Sequence, residues 1–226
     1  MDQSQTFPLH HQFIARLYGI GLLLSFISYA TGISLMDVVQ QTNLTPTALL
    51  VEEYKVATGA LLVVVLHTCC NMVLLVSLFV LMKPLRYWLS YVYLSLGITS
   101  TWLLALGGLM LLMPLALAQE AVNSNQALEW FYAIQSFVVK GNHYCYQIGM
   151  TIWGIGGLVM CYVFCQTRWV PLFWARWGWV GYMLFITGTL LELFGMPYGN
   201  LLAIPGGLFE ISLAVRFIVK GANRPK

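Results

Sequence analysis

A single carboxylate stands near the middle of the last apolar run of this chain. Glu210 is the only acidic residue in residues 201–219. An ionisable side chain at bilayer depth costs about 3 kcal/mol or more, so it needs a partner or a use. Ala203, Gly207 and Ala214 share its helical face, at i−7, i−3 and i+4. Small residues let a second helix approach closely, so this spacing turns Glu210 toward other helices and away from lipid. Two roles fit a carboxyl so placed: a hydrogen-bonded group tying helices together, or a site of proton exchange or ligand anchoring. His67 lies mid-depth in an earlier apolar run, with Asn71 one turn later on the same face. A His/Glu pair can pass a proton or bind a polar ligand. A histidine on an apolar face can equally do no more than bond a backbone carbonyl. Glu192 lies toward the outer end of its run, and His143 with Asn142 at a similar depth. They could line an outer-facing polar pocket or form a satisfied interfacial cluster.

The elements that hold these residues are membrane helices. The chain has 226 residues, 59% hydrophobic and 8% charged, whereas soluble domains carry about 25% charged residues. Such a surface calls for lipid as its solvent. About 20 apolar residues cross a bilayer as a helix. Six runs meet that length, at residues 13–33, 56–82, 88–112, 144–165, 176–194 and 201–219. The fold class read here is all-α: an integral membrane bundle of six transmembrane helices in one domain, residues 1–226. Residues 127–140 are amphipathic and too short to span. They read as a short interfacial helix before the fourth span, or as its extension below a break at Gly141-Asn142. Thr45-Pro46 reads as an N-cap with proline at the first helical position, opening a helix that runs on into the second span. Asn43-Leu44-Thr45 matches a glycosylation sequon, although Pro46 follows it directly. Pro114 is expected near the end of the third span, with a polar loop at residues 119–126. Pro205-Gly206-Gly207 should weaken or kink the sixth.

Charge sets the direction. Arg16, Lys83, Arg86, Arg168, Arg176, Arg216, Lys220, Arg224 and Lys226 fall at one set of ends, and only Lys55 and Lys140 at the other. By the positive-inside rule both termini are cytoplasmic. Ser28-Tyr29-Ala30 resembles a cleavage site, but the apolar run continues past it and reads as a signal-anchor helix. Arg168 and Arg176, bracketing Trp169-Val170-Pro171, read as topogenic residues that contact lipid phosphates.

Several classes are excluded by what is missing. No basic stripe suits nucleic acid. The five cysteines form no CxxC pair and no zinc spacing, so they read as small hydrophobes. There is no HExxH, GxSxG or P-loop. No catalytic residue, metal ligand or cofactor is therefore assigned.

Most of the chain is similar to a known family, most specifically over residues 157–221. The segments Gly157–Pro171, with Arg168-Trp-Val-Pro171, Arg176-Trp-Gly178-Trp-Val-Gly181-Tyr182, Ile204-Pro205-Gly-Gly-Leu-Phe-Glu210 and Ile218-Val-Lys220-Gly221 resemble the prokaryotic multi-pass membrane family called domain of unknown function 4386. Ala15-Arg16-Leu-Tyr-Gly19 looks like its start. The pattern departs in two places. The third span lacks an arginine that many members carry, and Cys161-Tyr162-Val163 stands where Gly-Tyr-Leu is usual. The resemblance implies an inner (plasma) membrane location and no assigned activity. It marks Arg168, Pro171, Pro205 and Glu210 as motif positions.

The function expected from all this is a small ligand-binding, sensing or partner-regulating membrane module. Its partners would be membrane lipids and a small ligand or membrane protein. The alternative is a small transporter or proton-coupled carrier using Glu210 and His67. An intramembrane lipid or quinone enzyme comes last, because no nucleophile or metal set is visible.

Overall fold

The computed structural model describes residues 9–41, 44–124 and 129–222. Asn43 of the sequon, Ala127 and Leu128 of the amphipathic stretch, and the basic residues Arg224 and Lys226 lie outside them. Every regular element among the described residues is helical. In order these are α1 (Leu9–Met36), a 3₁₀ turn (Asp37–Gln40), α2 (Pro46–Val51), α3 (Glu53–Ala60), a π-helical segment (Leu61–His67), α4 (Thr68–Met82), α5 (Tyr87–Ser124), α6 (Glu129–Thr167), α7 (Leu172–Leu193) and α8 (Gly199–Lys220). The stretch from α3 through α4 forms one helical run, Glu53–Met82. With no water in a bilayer core, each backbone must satisfy its own polar groups, and the helix does so within one segment.

Three boundaries differ from expectation. Pro114 does not end the third span; α5 carries it internally and runs on to Ser124, so residues 119–124 of the expected polar loop are helical, and residues 125 and 126 of it lie outside the described residues. Leu111, Leu115, Ala118 and Ala121 beyond and around it are core residues, so their burial offsets the hydrogen bond that proline removes. The interfacial helix is not separate from the fourth span. Glu129–Thr167 is one 39-residue helix, continuous through Gly141-Asn142. A glycine in a helix costs only about 1 kcal/mol, and here it makes room: a Cβ on Gly141 would strike the Met110 side chain. Glu52 interrupts the helix begun at Pro46. The cap itself is as expected, with Ala48 N–H donating to the Thr45 hydroxyl at 3.3 Å.

The chain divides into two compact units. One comprises residues 25–69 and 101–146. Its core joins Met36, Val39, Leu49, Val56 and Val63 with Leu111, Leu115 and Phe131. Here α1 and α3 cross at glycines: a Cβ on Gly32 would lie 2.8 Å from the Gly59 carbonyl oxygen and 2.6 Å from Val63 Cγ2. Gln135 Nε2 donates to the Val39 carbonyl at 2.9 Å, which holds the 3₁₀ turn against α6.

The other unit comprises residues 1–24, 70–100 and 147–226. In it α7 and α8 form a hairpin that crosses at Gly181 and Gly206, where a Cβ on Gly181 would lie 3.0 Å from Gly206 Cα. Gly19 meets Ala214 in the same way, its Cβ 2.6 Å from the Ala214 carbonyl oxygen. The small-residue stripe of α8 is thus read correctly at Ala214. It is displaced by one residue at Gly207, which has nothing within 4 Å; Gly206 makes the close approach instead. Pro205 lies inside a continuous α8.

These contacts give a paired prediction. Gly32→Ala forces a methyl against backbone and should destabilise by about 1–3 kcal/mol. Gly207→Ala meets open space and should leave thermal stability unchanged or raise it by up to about 1 kcal/mol. Thermal unfolding of the purified protein in detergent checks both; equal effects of the two changes would refute the crossing.

Candidate functional site

The geometry of α8 follows from its sequence pattern. Leu201, Ile204, Leu208, Ile211, Val215 and Val219 are exposed, while Phe209, Glu210, Leu213, Ala214 and Phe217 are buried. That is the one-sided stripe of a helix with period 3.6. Glu210 therefore points inward, and it is 6% exposed.

Two side chains from two other helices meet it. Tyr182, on α7, donates its hydroxyl to Glu210 Oε1 at 2.5 Å. Trp153, on α6, donates its indole N–H to the same oxygen at 2.8 Å. Both bonds use Oε1, so the lone pairs of Oε2 remain as acceptor capacity. Tyr18 of α1 and Tyr93 of α5 belong to the same compact unit and are buried. Beside this group is a small cavity lined in part by Tyr18, Tyr93, Trp153 and Tyr182. It offers a water-sized sphere about 10 Å³ of room for its centre, about enough for one water molecule. Glycines admit the aromatic rings. A Cβ on Gly157 would collide with the Tyr182 ring, and one on Gly178 would lie 2.5 Å from Phe209 Cζ. Phe209 in turn meets Tyr182 edge to face at 5.9 Å. A second polar link in the unit joins α6 and α7, Thr151 to Thr189 at 2.8 Å between hydroxyls.

The other expected site residues have other settings. His67 ends the π-helical segment, in the unit of residues 25–69 and 101–146. Its Nδ1 lies 3.1 Å from the Ser25 carbonyl oxygen; a carbonyl can only accept, so Nδ1 carries the hydrogen. Tyr29 packs on the imidazole at 4.9 Å and stacks on Tyr146 at 6.0 Å. Asn71 is buried on α4 and belongs, with Glu210, to the other unit. His143 is half-buried on α6, its ring edge to face with Tyr144 at 5.8 Å. Glu192 caps the hairpin: its Oε1 accepts from the Gly199 N–H at 3.0 Å, at the first residue of α8. A helix start leaves such N–H groups unpaired and favours negative charge. Gly199 has to be glycine for this, because a Cβ there would lie 2.5 Å from Glu192 Cγ. Glu192 and His143 fall in different units.

The Arg168–Pro171 turn has a physical basis as well. Arg168 adopts φ 55°, the left-handed conformation that glycine usually supplies at a helix C-terminus. The turn sends Trp169 and Val170 into the core. Trp169 packs on Phe164 and Phe217 at 5.7 and 6.0 Å, and Pro171 starts α7.

Sequence reasoning found the carboxylate and missed its surroundings. Neither Trp153 nor Tyr93 was singled out from sequence, and Tyr18 and Tyr182 stood only within motif segments. The available signal was their depth: membrane Trp and Tyr concentrate at the interfaces, whereas these lie within long apolar helices beside glycines.

Among the described residues, five helical segments are long and apolar enough to cross a membrane: His11–Gln40, Glu53–Met82, Tyr87–Asn123, Glu129–Thr167 and Gly199–Lys220. α7 matches α8 in length at 22 residues, but Arg176, Glu192, three tryptophans and three glycines dilute its apolar run. The chain is a multi-pass membrane protein. The model of a family described as domain of unknown function (DUF4386) matches residues 10–221, and the chain belongs to that family. No curated protein and no solved structure matches it.

Tyr182→Phe removes one of the two donors to a buried carboxyl. Membrane hydrogen bonds contribute about 0.6–2 kcal/mol, so the variant should lose about that much stability. Glu210→Gln keeps a side-chain oxygen for the same donors. In that background, adding Tyr182→Phe should cost a different amount, and a double-mutant cycle measures the coupling. Strict additivity would show that the tyrosine bond is no stronger to the carboxyl than to the amide.

Proposed function

We propose that the chain is a small ligand-binding or sensing module of the inner (plasma) membrane, with Glu210 as its binding group. The supporting observation is that a single oxygen, Glu210 Oε1, accepts from both α6 and α7. Any occupant that competes for this carboxyl, or orders it, acts on three helices at once. That is what converts binding into a change of helix packing. The cavity beside Trp153 and Tyr182 supplies a place for an occupant to sit. The alternative, a small transporter or proton-coupled carrier, would use Glu210 together with His67. Lipids surround the module, and a membrane protein partner would read its state from the exposed faces.

A panel of small polar and charged compounds, scored by thermal stability of the purified protein, tests this. At least one compound should raise the unfolding temperature of the wild type, and Glu210→Gln should abolish that rise. A panel whose active compounds all act equally on Glu210→Gln would sink the proposal.

The proposed topology has six crossings, formed by α1, the α3–α4 run, α5, α6, α7 and α8, with both termini cytoplasmic. It draws on the basic residues Arg16, Lys83, Arg86, Arg168, Arg176, Arg216 and Lys220 at alternate helix ends. A reporter active only in the cytoplasm, fused after Lys226, should be active. One fused within the α7–α8 turn, after Pro197, should be silent. The reverse pattern would invert the topology.

A further inference from the structure

We propose that the cavity beside Glu210 binds a water-sized cation of the ammonium type. This assignment rests on the reading of Glu210 as a binding group and names the ligand class for it.

Size, charge and donor geometry converge on this occupant. The cavity admits about one water-sized particle, so the ligand is a single heavy atom with its hydrogens. Glu210 is buried and has no ion-pair partner among the described residues. Its two hydrogen-bond donors, Trp153 and Tyr182, themselves line the cavity. Four aromatic rings contribute to the wall, those of Tyr18, Tyr93, Trp153 and Tyr182. The electron-rich face of such rings attracts cations, most strongly where water is excluded.

Tyr93 supplies a further, independent observation. It is 5% exposed and lines the cavity, yet its hydroxyl makes no hydrogen bond to the described residues. A tyrosine hydroxyl can accept as well as donate, and a ligand with N–H donors in the cavity would give it a partner. Tyr18 spends its hydrogen on the thioether of Met160, at 3.7 Å, which leaves its oxygen as an acceptor.

The choice among cations follows from the acceptor set. Hard metal cations such as calcium and magnesium take six or more oxygens, and the smaller ones keep several waters; this cavity has room for neither. Ammonium has four N–H donors and accepts aromatic faces in place of oxygens. Tyr18, Tyr93 and Tyr182 line the cavity and bring three hydroxyl oxygens, and Glu210, bonded to Tyr182 and Trp153, stands behind that wall as the counter-charge. Space comes from glycine: Gly97, Gly156 and Gly157 all border the cavity.

The test is thermal unfolding of the full chain in detergent at constant pH and ionic strength, with ammonium chloride replacing sodium chloride. Potassium chloride is the control, because potassium is close to ammonium in size and lacks N–H donors. Ammonium should raise the midpoint saturably, by about 3–6 °C once well above its dissociation constant, and potassium should not. Tyr93→Phe keeps the ring and should weaken ammonium binding about tenfold, the value of one good hydrogen bond to a charged group. Glu210→Gln should abolish the shift. Equal shifts from potassium, or none from ammonium in folded wild-type protein, overturn the assignment. In that event a Glu210-dependent shift from a different compound leaves the binding reading standing and removes only ammonium. No Glu210-dependent shift from any compound removes both.

Discussion

One carboxylate oxygen receiving hydrogen bonds from two other helices is the constraint on which the unit around Glu210 depends. The burial of Glu210 removes a polar group from any solvent that could satisfy it, and in a membrane that is expensive. The offset comes from Tyr182 and Trp153, at 2.5 and 2.8 Å. Each sits on a different helix, so the bonds fix the rotation of α6, α7 and α8 about their axes. Apolar packing alone would leave that rotation loosely defined, because lipid competes on equal terms with a leucine for the same surface. A polar contact with one geometry does not permit such slippage.

That contact is possible only because small residues clear the way. The Tyr182 ring lies where a side chain on Gly157 would be, and Phe209 lies where one on Gly178 would be. The Gly181–Gly206 crossing brings α7 and α8 close enough for the Tyr182 hydroxyl to reach Glu210. Pro205 sits next to that crossing, within a helix that continues through it. The motif positions Pro205 and Glu210 are thus parts of one arrangement: a close crossing, and the carboxyl that the crossing presents. At the far end of the hairpin, Glu192 holds the first residue of α8, so the helix that carries Glu210 is anchored at its start as well as its middle.

The legible part of this was everything that depends on local pattern. The all-helical class, the Thr45-Pro46 cap and the direction of Glu210 follow from periodicity and residue type within one segment. Of the three helix boundaries that were not legible, two lie at Pro114 and at Gly141-Asn142. In both cases a local breaker is outweighed by tertiary packing, of Leu111 and Leu115 in one case and of Met110 against Gly141 in the other. The partners of Glu210 were not legible either. A tyrosine on α7 and a tryptophan on α6 are 28 and 57 residues away in the chain, and which of eight tryptophans and twelve tyrosines reaches the carboxyl depends on helix register. The one-residue error between Gly207 and Gly206 has the same origin: adjacent helix positions point about 100° apart, and only the neighbour decides which one is buried.

Arg168 shows how a motif position can be fixed by backbone geometry as much as by side-chain chemistry. A non-glycine residue in the left-handed region costs about 1–2 kcal/mol, and glycine would avoid that cost. The conformation itself is needed, since it reverses the chain after α6 and delivers Trp169 between Phe164 and Phe217. Phe217 also meets Tyr18 edge to face at 5.5 Å, and Tyr18 lines the cavity beside Glu210. The turn therefore reaches the candidate site through an unbroken series of packed aromatic rings. Glycine would meet the geometric need at lower cost, and the arginine side chain is exposed at the helix end. A cation at a helix C-terminus meets the partial negative charge of the unpaired carbonyls there, which is a gain that glycine at this position would not bring.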